Sequence, residues 1–342
     1  MAKTYDDRWE IVKPLGEGGQ AQTFLVKDTR GSGTDLYALK RLRDVNRLDR
    51  FKREIETIRN LTHENVLRLV DFNLDGPKPY LVSEYCAGGS LPNAQPFWQD
   101  SAISALKLFQ QICQGVSYAH SRGVIHRDLK PDNIFLRSSD GPAVVGDFGI
   151  CYLEDSTRLT STDRAIGPRL FMAPELEDGR DDAISNKADT YSLGKVLYWL
   201  LSGGRIFSRE KHRERNWDLK GANEKSSLGW NNIYLEHVNR LLDLMILNNR
   251  EERSSVSDVC ALLPDVIRRV EKQFNPVSLH IIQPCTYCGE GRYELQAQTI
   301  TQVRNFGIEA VGDPKWRIFT CESCGHVQMF RIDLIEKNSL WK

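Results

Sequence analysis

Two short runs hold most of the chemistry this chain can do. His126-Arg127-Asp128-Leu129-Lys130-Pro131-Asp132-Asn133 is the first, and Asp147-Phe148-Gly149 begins 14 residues after Asn133. Phosphoryl transfer from a metal-bound nucleotide asks for a group that orients the attacking hydroxyl, oxygen ligands for magnesium, and positive charge near the γ-phosphate. Asp128 suits the first role, Asn133 and Asp147 the second, and Lys130 the third. Each of these residue types is common in turns. Their joint spacing is what carries the reading.

The elements that must position them follow from hydrophobic periodicity. Residues 9–85 read mainly as strands: Trp9 to Leu15, Ala21 to Asp28, Asp35 to Leu42, Val66 to Asn73 and Tyr80 to Glu84. Between them, Leu48 to Leu61 has helical spacing, with Phe51, Ile55, Ile58 and Leu61 on one face. From about residue 100 the pattern turns helical. Helices are predicted over Ile103 to Ser121, Asp189 to Ser202, Tyr234 to Leu247 and Ser255 to Val270. The second is apolar nearly all round, as a buried core helix is. Glu271 to Ser278 loses the pattern and contains Asn275-Pro276, which places a domain boundary there.

Gly16-Glu17-Gly18-Gly19-Gln20-Ala21-Gln22-Thr23 lies between two predicted strands, where glycines let backbone N–H groups approach phosphate oxygens. Lys40 follows 17 residues after Thr23, in Tyr37-Ala38-Leu39-Lys40. With Phe171-Met172-Ala173-Pro174-Glu175 downstream, these runs resemble the eukaryotic-type (Hanks-type) serine/threonine protein kinases. The resemblance implies an α+β, bilobal protein-kinase fold over 9–270, with a β-rich lobe at about 9–85 and a helical lobe at about 86–270. It implies ATP and Mg²⁺ as cofactors and protein Ser/Thr hydroxyls as substrates.

The resemblance also assigns roles by position. Asp128 is the catalytic base, and Lys130 marks serine/threonine specificity. Lys40 holds the α- and β-phosphates and pairs with Glu54, nine residues before His63; Glu56 points to another helix face. Gly16 and Gly18 belong to the phosphate loop. Leu15, Thr23, Ala38 and Phe135 sandwich adenine, and the backbone of Glu84 and Cys86 meets its edge. Ser83 is the gatekeeper, small enough to leave a back pocket open. Asn133 and Asp147 hold magnesium. Asp189 anchors the catalytic loop, Glu175 pairs with Arg253, and Ile58, Leu69, His126 and Phe148 form a stacked column. Ser156, Thr157, Thr160, Ser161 and Thr162 are phosphorylation candidates that Arg127 could meet, Thr160 and Thr162 foremost. One departure is Pro168 after Gly167, where the family usually has Gly-Thr. It puts substrate engagement in doubt and leaves open a nucleotide-binding scaffold that transfers phosphate poorly.

Of the eight cysteines, Cys285-Thr286-Tyr287-Cys288 and Cys321-Glu322-Ser323-Cys324 form two close pairs, each followed by glycine. Two such turns supply four thiolates, the donor set of a closed, structural Zn²⁺ site. Residues 279–342, after a linker at 271–278, resemble a zinc ribbon, with Tyr293 to Val303 as an alternating strand. Such a ribbon would dock protein or regulate the kinase. Nucleic-acid binding by the ribbon stays a rival, but its seven Lys/Arg against seven Asp/Glu over 277–342 leave no basic footprint. The whole chain has 46 Lys plus Arg and 46 Asp plus Glu, so no net charge draws it to membrane or nucleic acid. The charged amino terminus and the lack of an apolar run of ~18 residues lead to the expectation of a cytoplasmic protein with no membrane span. Arg205 to Lys225, with seven basic and four acidic residues, reads as a solvated loop or an acidic-partner dock.

Overall fold

A computed structural model of the chain describes residues 4–17, 21–31, 35–94, 96–99, 101–148, 170–177, 185–207, 219, 236–274, 293–297, 316–321 and 326–331. The amino-terminal lobe is an antiparallel sheet built from β1 (Thr4–Tyr5), β2 (Trp9–Glu17), β3 (Ala21–Asp28), β4 (Leu36–Leu42), β5 (Leu69–Asn73) and β6 (Tyr80–Glu84). Its order is β1-β2-β3-β4-β6-β5. Strand alternation sends Trp9, Val26, Leu39 and Val82 to one buried face, where Tyr5, Phe24 and Tyr80 join them. The other face receives α1 (Leu48–Ile58), whose Phe51 and Ile55 pack on Leu42 and Leu81.

Val66 departs from the expected strand. Val145 N donates to Asn65 O and Leu67 N donates to Val145 O, so residues 65–67 dock on the helical lobe as a parallel bridge. The ladder of β5 therefore begins only at Leu69. The α1–β5 connection is thereby tied to the helical lobe rather than to its own sheet.

The helical lobe is organised by α2 (Ala102–Ser121), capped by Ser101 Oγ accepting from Ile103 N at 3.2 Å. Two small strands, β8 (Ile134–Leu136) and β9 (Ala143–Val145), pair with each other and, through β8, with β7 (Gly89–Ser90). α3 (Pro174–Glu177) is a single turn. α4 (Lys187–Leu201) is buried along nearly its whole length. Its Gly194 allows α5 (Glu236–Met245) and the residue after it to come close: a Cβ there would sit 2.6 Å from Ile246 Cγ1 and 3.0 Å from Met245 Cβ. α6 (Val256–Phe274) runs past Val270, where its apolar pattern ends, and contains Pro264. Tertiary packing of Val259, Leu263, Val266 and Ile267 carries it through the proline.

The chain divides into two compact units, residues 1–267 and 268–342. In the second, β10 (Tyr293–Ala297), β11 (Trp316–Cys321) and β12 (Val327–Arg331) form an antiparallel sheet in that order. A register shift between Leu295 and Ala297 marks a bulge in β10. Residues 298–303 of the expected longer strand lie outside the described residues.

Candidate active site

Lys40 stands in the middle of β4, opposite Thr23 of β3 and Leu81 of β6. A central strand is a stiff mount, and it aims the ammonium at two carboxylates. Lys40 Nζ donates to Glu54 Oε1 at 3.0 Å and to Asp147 Oδ1 at 2.8 Å. Glu56 takes no part in this arrangement. Burial works against the lysine's charge, yet Asp147 and Glu54 outweigh it and hold its pKa above the usual range. Lys40 in turn holds Asp147 below the ordinary carboxylate range against the effect of burial, with smaller help from His126 and Lys130. Asp147 has φ 51°, a left-handed conformation that a short polar residue tolerates at a cost.

The catalytic-loop residues cluster on one carboxylate. Lys130 Nζ donates to Asp128 Oδ2 at 2.8 Å, and Asn133 Nδ2 donates to the same oxygen at 3.0 Å and to Asp128 O at 2.8 Å. Asp128 Oδ1 is thus the oxygen left for a substrate. Asn133 spends its amide nitrogen inward, which leaves its side-chain oxygen for a cation.

Behind this loop, Asp189 in the first turn of α4 is 1 % exposed. Its Oδ2 accepts from His126 N at 2.8 Å and its Oδ1 from Arg127 N at 2.8 Å; His120 Nε2 lies 2.7 Å from Oδ2. Burial opposes the Asp189 charge, but the His120 bond and the loop amides keep its pKa low. These bonds hold Arg127 at φ 66°. His126 Nε2 lies 2.9 Å from Gly146 O, and its ring is 4.7 Å from that of Phe148, so the two motif runs are joined directly.

A cavity of about 350 Å³ opens beside these groups. Leu15, Gly16, Thr23 and Ala38 line it from the sheet, Phe135 and Gly146 from the helical lobe, and Glu84, Tyr85 and Cys86 along the connection. Lys40, Glu54 and Asp147 line it too, while Asp128, Lys130 and Asn133 lie outside its lining. Ser83 also faces the cavity, which extends to Ile58, Leu69, Leu81 and Phe148. The Cys86 thiol is pushed up to about 12 by burial, with Glu84 adding to the effect.

Glu175 and Arg253 also meet. Arg253 Nη2 donates to Glu175 Oε2 at 2.8 Å, and the arginine side chain is fully buried. It further donates to the carbonyls of Leu247, Lys187 and Asn248.

Gly18 and residues 149–169, with Pro168 and the phosphorylation candidates, lie outside the described residues, as do Cys285, Cys288 and Cys324. Cys321 ends β11. Among the described residues no group of three or more His, Cys, Asp or Glu could hold a metal. Sequence reasoning took Glu84 for its backbone alone and passed over Arg137 and His120. His120 could have been found from its position on α2, six residues before His126, whose backbone N–H meets the same buried acid.

Comparison with known proteins adds the family. A model described as the protein kinase domain matches residues 9–262. The chain is 34% identical over 213 residues to the probable serine/threonine-protein kinase PknB of Lactococcus lactis, covering 59% of this chain and 33% of that protein. It is 33% identical over 208 residues to the serine/threonine-protein kinase PknB of Mycobacterium leprae (58% and 33%), and 34% identical over 212 residues to serine/threonine-protein kinase D of Synechocystis (57% and 41%). The chain thus matches less than half the length of each of these relatives. With the domain match running over most of the chain and the cleft built around Lys40, Asp128 and Asp147, the chain belongs to the protein kinase family.

Proposed function

We propose that this protein is an ATP- and magnesium-dependent serine/threonine kinase acting on proteins, with a structural zinc ribbon after the kinase domain. The observation that carries the reading is the meeting of Lys40, Glu54 and Asp147 in a nucleotide-sized cavity, with Asp128, Lys130 and Asn133 interlinked on the adjoining loop. The donors suit the cofactors: Asp147 and Asn133 offer hard oxygens, and the apolar slot between Ala38 and Phe135 has the character of an adenine site. When bound, magnesium neutralises charge that builds on the phosphate oxygens. Glu54 fixes Lys40 for the α- and β-phosphates. Asp128 Oδ1 accepts the proton of an incoming Ser or Thr hydroxyl, and Lys130 supplies positive charge beside it. The serine/threonine preference rests on Lys130 and on the names of the relatives.

The test is incubation of the full chain with γ-labelled ATP and magnesium beside the variant Asp128→Asn. Label on protein Ser/Thr, reduced roughly 10²- to 10⁴-fold in the variant at unchanged melting temperature, is the expected result. Nucleotide binding without transfer would overturn the catalytic reading in favour of a scaffold.

Arg127 Nε is buried and has no hydrogen-bond partner among the described residues. It is a donor suited to a phosphate on the segment 150–166, at Thr160 or Thr162 foremost. Unchanged activity after alanine replacement of Ser156, Thr157, Thr160, Ser161 and Thr162 would remove this regulation.

The spacing of the four cysteines supports the zinc site. Cys321 is the last residue of β11, and Cys324 follows it by three residues in the sequence. Tyr293 pairs with Cys321, and Cys288 lies five residues before Tyr293. Two Cys-x-x-Cys pairs are the donor set of a single tetrahedral ion. Metal analysis is expected to find one zinc per chain, lost when Cys285, Cys288, Cys321 and Cys324 become serine, with ATP binding retained. Protein docking or kinase regulation is the proposed role of this unit, in a cytoplasmic protein. Among the described residues no helix is long and apolar enough to cross a membrane.

A further inference from the structure

Glu84 is the last residue of β6, and the chain then crosses between the lobes to β7. Its carboxylate carries a set of bonds of its own. Oε2 accepts from Arg137 Nε at 2.9 Å, and Oε1 accepts from Arg137 Nη2 at 3.0 Å and from Arg68 N at 2.9 Å. Arg137 follows β8, the strand that leads from Asn133 through Phe135. Its Nη1 donates to Glu64 O at 2.5 Å. Its own carbonyl accepts from Ala87 N at 3.1 Å.

One residue therefore grips the interlobe connection at both ends: Glu84 by its side chain and Ala87 by its backbone. It also reaches the α1–β5 connection, which docks on β9 at residues 65–67. Arg137 does not line the cavity, so any effect it has on nucleotide acts through Glu84 and Ala87. The pair is bidentate and partly desolvated, with side-chain exposures of 31% for Arg137 and 15% for Glu84. That is the geometry in which a charge-assisted bond is strong and directional. Burial opposes the Glu84 charge, yet Arg137 and the Arg68 amide hold it below the usual carboxylate range. Hinge opening in a two-lobed protein is absorbed by a few residues of the connection. Here such opening would have to break both N–H···O bonds of the fork and rehydrate the two charges.

We propose that the Arg137–Glu84 pair is a latch on the interlobe connection that sets how fast nucleotide leaves the cleft. The latch rests on the nucleotide-site reading, since it presupposes a ligand between the lobes. Arg137 is in this sense a positioning residue.

The test follows dissociation of a fluorescent N-methylanthraniloyl ADP from the full chain by stopped flow, in Arg137→Met, Arg137→Lys and Glu84→Gln. Loss of the fork is expected to speed release about 5- to 10-fold in Arg137→Met, as befits one charge-assisted bidentate pair. Arg137→Lys, which keeps the charge but not the fork, falls between this variant and the parent. The double variant Arg137→Met/Glu84→Gln releases no faster than Arg137→Met alone, because the two share one interaction. Release rates within twofold of the parent in Arg137→Met and in Glu84→Gln, with only a lowered melting temperature, would make the pair structural and overturn the latch. Should Arg137→Met not fold, Glu84→Gln carries the same decision, since its amide still accepts from Arg68 N. Failure of the parent chain to bind the probe at all would instead remove the nucleotide-site reading itself.

Discussion

The two sides of the cleft are held by different means. The helical side is fixed from behind: Asp189 grips two catalytic-loop amides from a buried helix, and Arg253 joins Glu175 to three backbone carbonyls. The sheet side is fixed from within the cleft: Lys40 reaches Glu54 and Asp147 by one ammonium group, while Leu15 at its edge is 39% exposed. A side that must hold reacting groups in place is built on core bonds. A side that must admit and release a ligand is built on side-chain contacts that can separate.

The sharpest way to break this contrast is at Arg253. Arg253→Ala leaves Glu175 and several carbonyls without their donor, and is expected to cost about 3–5 kcal/mol in urea unfolding. A loss below about 1 kcal/mol would mean the helical side does not depend on that buried charge. Asp189→Asn is next, at about 1.5–3 kcal/mol, the worth of hydrogen bonds to an ionised acceptor. It has a pH signature. The folded pKa of Asp189 lies below its unfolded value, so its stabilisation is present above about pH 4 and fades as acid protonates it. The Asn variant is expected to show a shallower acid limb in thermal unfolding than the parent.

How much of this was legible beforehand depended on what each residue answers to. Asp128, Asn133 and Asp147 could be named from the groups that phosphate and magnesium chemistry asks for, and Lys40 and Glu54 from the spacing of the family the sequence resembles. The strands carrying them followed from alternation. Arg137 was invisible because its partners are 53 and 73 residues away and no local pattern requires it. The Val66 segment read as β from composition, but hydrogen bonds from β9 took its backbone first. β1 was missed because two residues give no period; Tyr5 holds it by packing on Phe24 and Tyr80. α6 overran its apolar pattern because Glu271, Lys272 and Gln273 are residue types that favour helix.

On the sheet side the effects should fall on rate more than on stability. Glu54→Gln is expected to lower kcat roughly 10- to 100-fold by letting Lys40 wander, with little change in melting temperature. A stability loss matching that of Asp189→Asn would erase the distinction between the two sides. A smaller effect tests the cavity itself. The parent chain should bind ATP analogues with bulky N6 substituents, and Ser83→Phe should weaken that binding about tenfold or more by filling the space toward Leu69 and Phe148. The smallest concerns Cys86. With its thiol raised to about 12, little thiolate exists at neutral pH, and iodoacetamide should label it more slowly than a free thiol of ordinary pKa.

The left-handed backbone at Arg127 has a further consequence. A bulky residue does not stay in that conformation unaided, so the catalytic loop has no shape to fall back on once α4 lets go. Activity should therefore not fade ahead of the fold, as it does when a site sits on a loosely attached segment. In a urea titration the loss of turnover and the loss of helical circular dichroism should trace one sigmoid. Turnover would then report on the integrity of the interior.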